Sequence, residues 1–132
     1  MKIARRTAAF ATAIALFGFA ASPAFADVKD YEFQLVQSEA KKGDATIAVR
    51  LVNKKTGKPV PDAVIIAKRI DMAPDGMAEM ATKIDQVSST EPGIYRFRAN
   101  LSMEGRYQLS LGAKIQGETG TVEGKLVLKA TQ

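Results

Sequence analysis

Met72, Met77 and Met80 fall within nine residues, in the run Asp71-Met72-Ala73-Pro74-Asp75-Gly76-Met77-Ala78-Glu79-Met80, and the chain contains no Cys and no His. Thioether sulfur is a soft, uncharged donor that selects Cu(I) over hard cations. Unlike thiolate or imidazole, it needs no deprotonation before it binds. Three thioethers in a near-trigonal arrangement hold Cu(I) well, and spacings of five and three residues on a flexible Pro-Asp-Gly loop let Met72, Met77 and Met80 converge. Met103, in a turn of its own, joins them if the two loops share one end of the fold. Methionine has a second use: it fills irregular core gaps and makes adaptable contacts with partners. Met72 continues the alternation of Val64, Ile66 and Ile70, which would point it inward. Two readings therefore stay open. One is a Cu(I) site, or Ag(I) by analogy, built from Met72, Met77, Met80 and Met103; the other is a metal-free loop that contacts an envelope protein.

The remaining residue types exclude most other chemistry. Cu(II) prefers imidazole, blue copper needs His and Cys, and zinc needs the same donors. With neither residue, nucleophilic catalysis would require Ser with Lys or a carboxylate pair, and no such pairing is legible; the expectation is a protein that is not an enzyme. Ser89, Thr90 and Ser102 sit in turn contexts, where such residues cap the backbone. Asp71, Asp75 and Glu79 do not have the spacing of a calcium loop, and the simplest expectation for them is a solvated loop. Arg96 and Arg98 project from one strand face, and a basic patch with Lys125 and Lys129 of the last strand is the alternative to plain solvation.

The ends of the chain bear on location. Lys2, Arg5 and Arg6 precede an apolar run from Thr7 to Ala20, and Ala24-Phe25-Ala26 is a small-x-small cleavage site. This is the layout of a secretory signal peptide cleaved after Ala26. Thr7-Ala8-Ala9 follows Arg5-Arg6 where a twin-arginine signal would continue differently, so the general export route is expected. The expected destination is the periplasm, with no membrane span after cleavage. The full chain carries +5, of which the signal holds three positives and no acid, leaving +2 on residues 27–132. So small an excess, in an exported protein, argues against nucleic acid as a partner. A monomer is the expected state. A domain of this length without disulfides must be held by its core alone.

Positioning falls to strands. Tyr31, Phe33 and Leu35 alternate with polar residues, as do Ile47, Val49 and Leu51. Ala63 to Ile70 reads as a third strand, buried on both faces at its start. Ala81 to Val87 is a weaker fourth, Ile94 to Ala99 a clear fifth with Tyr95, Phe97 and Ala99 on one face, and Tyr107 to Ala113 and Val122 to Ala130 complete the set. Polar turns are expected at Ser38–Asp44, Thr56–Asp62, Glu91–Gly93, Ser102–Gly105 and Gly117–Gly120. Seven strands at this spacing predict an all-β fold, a seven-stranded immunoglobulin-like antiparallel β-sandwich, with an up-and-down barrel as the other solution.

Several of these segments occur in an order that resembles the YtkA-like/FixH family of small exported or membrane-tethered bacterial domains. Gly57-Lys58-Pro59-Val60-Pro61-Asp62-Ala63-Val64 is similar to its G-x-P-V-x-x-A-x-V segment, and Asp71 to Met80 to its Met-bearing segment. Gly93-Ile94-Tyr95 matches the G-x-Y strand start, and Met103-Glu104-Gly105-Arg106-Tyr107-Gln108-Leu109 the M-x-G-x-W-x-L turn, with Tyr107 at the aromatic position. The resemblance covers roughly residues 45–130. It implies an immunoglobulin-like sandwich in the cell envelope and, as partners, heavy-metal efflux or cytochrome oxidase assembly proteins, with copper as the metal. The FixH branch carries a membrane anchor where this chain has a cleavable-looking signal, which favours the soluble periplasmic form.

Overall fold

A computed structural model describes residues 28–132; the signal-peptide reading of residues 1–26 lies outside the described residues. A 3₁₀ turn at Val28–Asp30 leads into β1 (Tyr31–Leu35), β2 (Glu39–Lys41) and β3 (Gly43–Asn53). Then come β4 (Val64–Met72), a second 3₁₀ turn (Ala73–Asp75), β5 (Met77–Thr82) and β6 (Ile84–Val87). The chain closes with β7 (Ile94–Leu101), β8 (Gly105–Lys114) and β9 (Val122–Thr131). One sheet has the order β1-β3-β7-β6 and the other β2-β9-β8-β4-β5. Every pairing is antiparallel except β2 with β9, which is parallel. The first order and the β4-β8-β9 core of the second are those of an immunoglobulin-like sandwich, with β5 and β2 added at the edges.

Nine strands are therefore present among the described residues, where seven were expected. Both additions arise where local pattern is weakest. The expected polar turn at Ser38–Asp44 contains β2, a three-residue strand that forms because the chain changes sheet and Glu39–Lys41 finds the free edge of Lys129–Thr131. A segment this short has no alternation to read. Similarly, the expected fourth strand is divided at Lys83. Its first part belongs to β5, beside β4, while β6 crosses to pair with β7 in the other sheet. Period two continues through the crossing, so pattern alone does not reveal it.

The start of β4 is also not doubly buried. Val64 and Ile66 are 61% and 52% exposed, because a bulge between Ile65 and Ala67 shifts the register against β8. Ile65 packs against the core, its two neighbours face water, and inward parity resumes at Ile70 and Met72. Arg96 and Arg98 do not join Lys125 and Lys129: β7 and β9 lie in different sheets, so the pairs face opposite sides of the molecule.

The interlayer is apolar and closed. Phe33, Ile47, Val49, Leu51, Tyr95, Phe97, Ala99 and Leu101 from the first sheet meet Ile70, Met72, Tyr107, Leu109, Leu111, Leu128 and Ala130 from the second. Tyr95, Phe97 and Ala99 share the inward face, as their alternation requires. The Tyr95 hydroxyl donates to the Val60 carbonyl at 2.6 Å and accepts the Ala63 N–H at 2.9 Å. It thereby pins the connection that carries the chain from β3 in one sheet to β4 in the other. Burial, above all, pushes the Tyr95 phenol above its ordinary pKa. Tyr95→Phe keeps the ring but leaves two backbone groups without their partner. It is expected to cost about 1–3 kcal/mol, seen as a lower denaturant midpoint at unchanged slope.

Candidate functional site

The run from Asp71 to Met80 is not a free loop. Met72 ends β4 with its side chain in the core, 1% exposed. Pro74 helps start the 3₁₀ turn, and Gly76 ends it in the left-handed region at φ +77°, donating its N–H to the Ala73 carbonyl. There a residue without Cβ is favoured, and the chain reverses so that Met77 stands opposite Met72. The register then jumps, with Asp71 paired to Ala81, so that Ala78, Glu79 and Met80 bow out of the ladder.

Two carboxylates hold this hairpin, so the expectation that Asp71 and Asp75 are merely solvated does not survive. Asp71, 4% exposed, accepts the Ala73 N–H on Oδ1 at 2.9 Å and Arg69 Nε on Oδ2 at 2.8 Å. Arg69 Nη2 goes on to the Ala78 carbonyl at 2.9 Å. Asp75 reaches across to β8. Its Oδ2 accepts the Arg106 backbone N–H and its Oδ1 the Arg106 Nε, both at 2.8 Å, while Arg106 Nη2 donates to the Pro74 carbonyl at 2.8 Å. The hairpin is thereby fastened to the β7–β8 turn.

That turn carries Met103. The Tyr107 hydroxyl donates to the Met103 carbonyl at 3.1 Å and accepts the Met103 N–H at 3.2 Å, the tyrosine-corner arrangement of immunoglobulin-like folds. Gly105, at φ +140°, makes the junction close. A Cβ there would lie 2.6 Å from both the Met72 methyl and Asp75 Oδ2.

Two of the methionines are brought together directly, and Met103 lies on the turn fastened beside them. Met72 and Met77 are cross-strand partners, Met72 buried and Met77 half-buried against the core. Met103 stands two residues before the glycine that the Met72 methyl covers, and is 38% exposed. Met80, 43% exposed, lies on the bowed part of β5. Glu79 is exposed. Among the described residues no group of three or more His, Cys, Asp or Glu side chains could hold a metal ion. Thioether sulfur is a donor that suits a soft monovalent ion.

A family model described as YtkA-like matches residues 25–112, about two thirds of the chain. The chain belongs to the YtkA-like family. No curated protein matches it. Among solved structures, this YtkA-like chain is similar to the Lin-41 filamin domain at 18% identity and TM-score 0.47, covering 77% of this chain and 92% of that one. A DUF4426 family protein from Pseudomonas aeruginosa is similar at 15% identity and TM-score 0.48, covering 75% and 86%. The ZirS C-terminal domain is similar at 12% identity and TM-score 0.47, covering 89% and 86%. The fold assignment rests on the strand order above.

Arg106, Gly105 and the two aspartates were not singled out by sequence as structural partners. The Met103-to-Tyr107 segment was visible as a motif, but its partner Asp75 lies 31 residues away, and no local signal links the two.

Two outcomes follow. Gly105→Ala is expected to destabilise by about 1–3 kcal/mol, through strained backbone and the displaced Met72 methyl, measured by denaturation. The second concerns pH. The Arg106 N–H and then its guanidinium hold the Asp75 carboxyl below its ordinary pKa. Burial alone would push Asp71 up, but the Ala73 N–H, Arg69 and more distant Lys125 outweigh it and hold that carboxyl down as well. Both groups therefore stabilise the fold above their unfolded pKa of about 4 and lose that contribution as pH falls through their lower folded values. Thermal midpoints should hold steady from neutral pH to about 5 and then fall, and Asp75→Asn should make that fall smaller.

Proposed function

We propose that this YtkA-like domain is a periplasmic binding module, not an enzyme, that takes up Cu(I) through its methionines and passes it to an efflux or oxidase-assembly partner in the envelope. The observation that carries the reading is the placement of Met72 and Met77 on the β4–β5 hairpin, with Met80 three residues further along β5, and of Met103 on the β7–β8 turn that Asp75 and Arg106 fasten to that hairpin. Met80 and Met103 offer sulfur at the surface, where an ion arrives and leaves. Met77 supplies a half-buried third donor. Met72, fully buried beneath them, serves as the fixed floor and joins the ligand set only if its methyl leaves Gly105. Neutral donors that exchange with solvent suit transfer better than storage, because an ion held by few exposed thioethers dissociates readily. The domain needs no nucleic acid and no membrane span of its own for this task; among the described residues no helix is long and apolar enough to cross a membrane.

A second reading shares the same surface. Exposed Met80 and Met103 are adaptable apolar contacts, and a partner protein could use them without metal. An anaerobic Cu(I) titration against a chromophoric competitor, followed by the methionine methyl NMR signals, separates the two. One-to-one binding with shifts at Met77, Met80 and Met103 is expected. Changing Met77 and Met80, or Met80 and Met103, to Ile should remove most of the Cu(I) binding, since each change deletes two soft donors, while the amide spectrum stays folded. Unchanged affinity in both variants would sink the thioether site, and no binding by the parent protein would leave the metal-free contact.

A further inference from the structure

The first strand's change of sheet leaves a seam. β1 leaves β3 after the Val36 N–H bonds the Ala48 carbonyl, and the chain joins β9 from Ser38 onward, with β2 paired at Lys129 to Thr131. Between these pairings lies a hollow of about 250 Å³, with Val36, Ala40, Ile47 and Leu128 among its apolar lining. Ile47 and Leu128 are 3% and 1% exposed, so the floor of the hollow is the sandwich core itself. Two arginines stand on its first-sheet rim. Arg96 is engaged by Glu91. Arg50 is half-buried and has no hydrogen-bond or ion-pair partner among the described residues. A guanidinium has five donors and no acceptor, and this one meets no protein acceptor among the described residues, so it is open to an anionic partner. On the opposite rim, Glu39 of β2 lines the same hollow and is exposed.

We propose that this seam binds a small aliphatic carboxylate. The carboxylate pairs with Arg50 in the two-pronged geometry that guanidinium favours, and the chain lies along Val36 and Ala40, above the sealed floor of Ile47 and Leu128. Ligand sites are mostly apolar with a few placed polar groups. The hollow is smaller than a site for a drug-sized molecule, which fits a short to medium acyl chain. Glu39, on the same hollow, is a like charge that opposes the carboxylate. The site is remote from the methionine turns in the chain and does not depend on their chemistry.

Octanoate titrated into the purified protein, by calorimetry and amide NMR, tests this. Saturable binding is expected, with shifts at Ala40, Ile47 and Ala48. Arg50→Gln should weaken it about tenfold, as the loss of a charge-assisted pair implies. Glu39→Gln should tighten it a few-fold, roughly the effect of removing one screened like charge. Ala48→Leu, which fills the hollow from the exposed face without touching the core, should block binding while the spectrum stays folded. Absence of saturation overturns the proposal, as does equal affinity in Arg50→Gln. Weaker binding in Glu39→Gln, together with binding of free leucine, would replace the carboxylate with an α-amino acid and overturn it too.

Discussion

Two β-sheets face each other here with no disulfide between them, so their apolar inner faces carry the structure. Phe97, Leu51, Ile70, Leu101, Leu109 and Leu128 are each under 2% exposed and together form the centre of that interlayer. Apolar surface removed from water is the dominant favourable contribution to folding. A domain of about 100 residues removes only some 65% of what its unfolded chain exposes. Little is left over to tolerate misplaced strands. This explains why the crossings between sheets are pinned by specific bonds. Tyr95 ties the β3–β4 connection at two backbone atoms, and the parallel pairing of β2 with β9 closes the edge that β1 leaves open.

Once the layers are set, the ends of the sandwich become defined places. The β4–β5 hairpin and the β7–β8 turn emerge at the same end because β4 and β8 are neighbours running antiparallel. Neighbourhood alone would leave the turns free to move apart. The Asp75 carboxylate prevents this by taking both the backbone N–H and the side chain of Arg106. Charge-assisted, two-pronged bonds of this kind add geometric specificity as well as energy. Exposure to solvent limits their contribution to stability, so their weight here is in placement. Gly105 allows the approach, and the Met72 methyl fills the space that a larger residue would occupy. The proposed thioether site and the scaffold are thus coupled through one carboxylate and one glycine.

Exposure follows the same gradation. Met72 is locked, Met77 is half-buried, and Met80 and Met103 reach solvent from a bowed strand and a turn. The proposed donors, buried at Met72 and exposed at Met80 and Met103, differ from a closed cage. They suit an ion that must be passed on, and equally a partner surface that must adapt.

Much of the fold was legible from period two. Tyr95, Phe97 and Ala99 faced inward as their alternation demanded, and the all-β, immunoglobulin-like architecture followed from strand spacing and turn residues, because side-chain parity in a strand is a local property. The methionine cluster and the Met103-to-Tyr107 motif were likewise visible as residue types. What sequence could not decide was everything that depends on which strand lies beside which. The burial of Val64 and Ile66 was misjudged because a single bulge reverses parity. A basic patch joining β7 and β9 stood as an alternative to plain solvation although the two strands belong to opposite sheets, and β2 and the break at Lys83 went unseen because changing sheets leaves no periodic trace. The roles of Asp71 and Asp75 show the point most directly. As letters they are acids in a polar loop, and only the packing of β4 against β8 brings Arg106 within 2.8 Å of Asp75. Pattern reports what a residue prefers to face; tertiary structure alone determines what it meets.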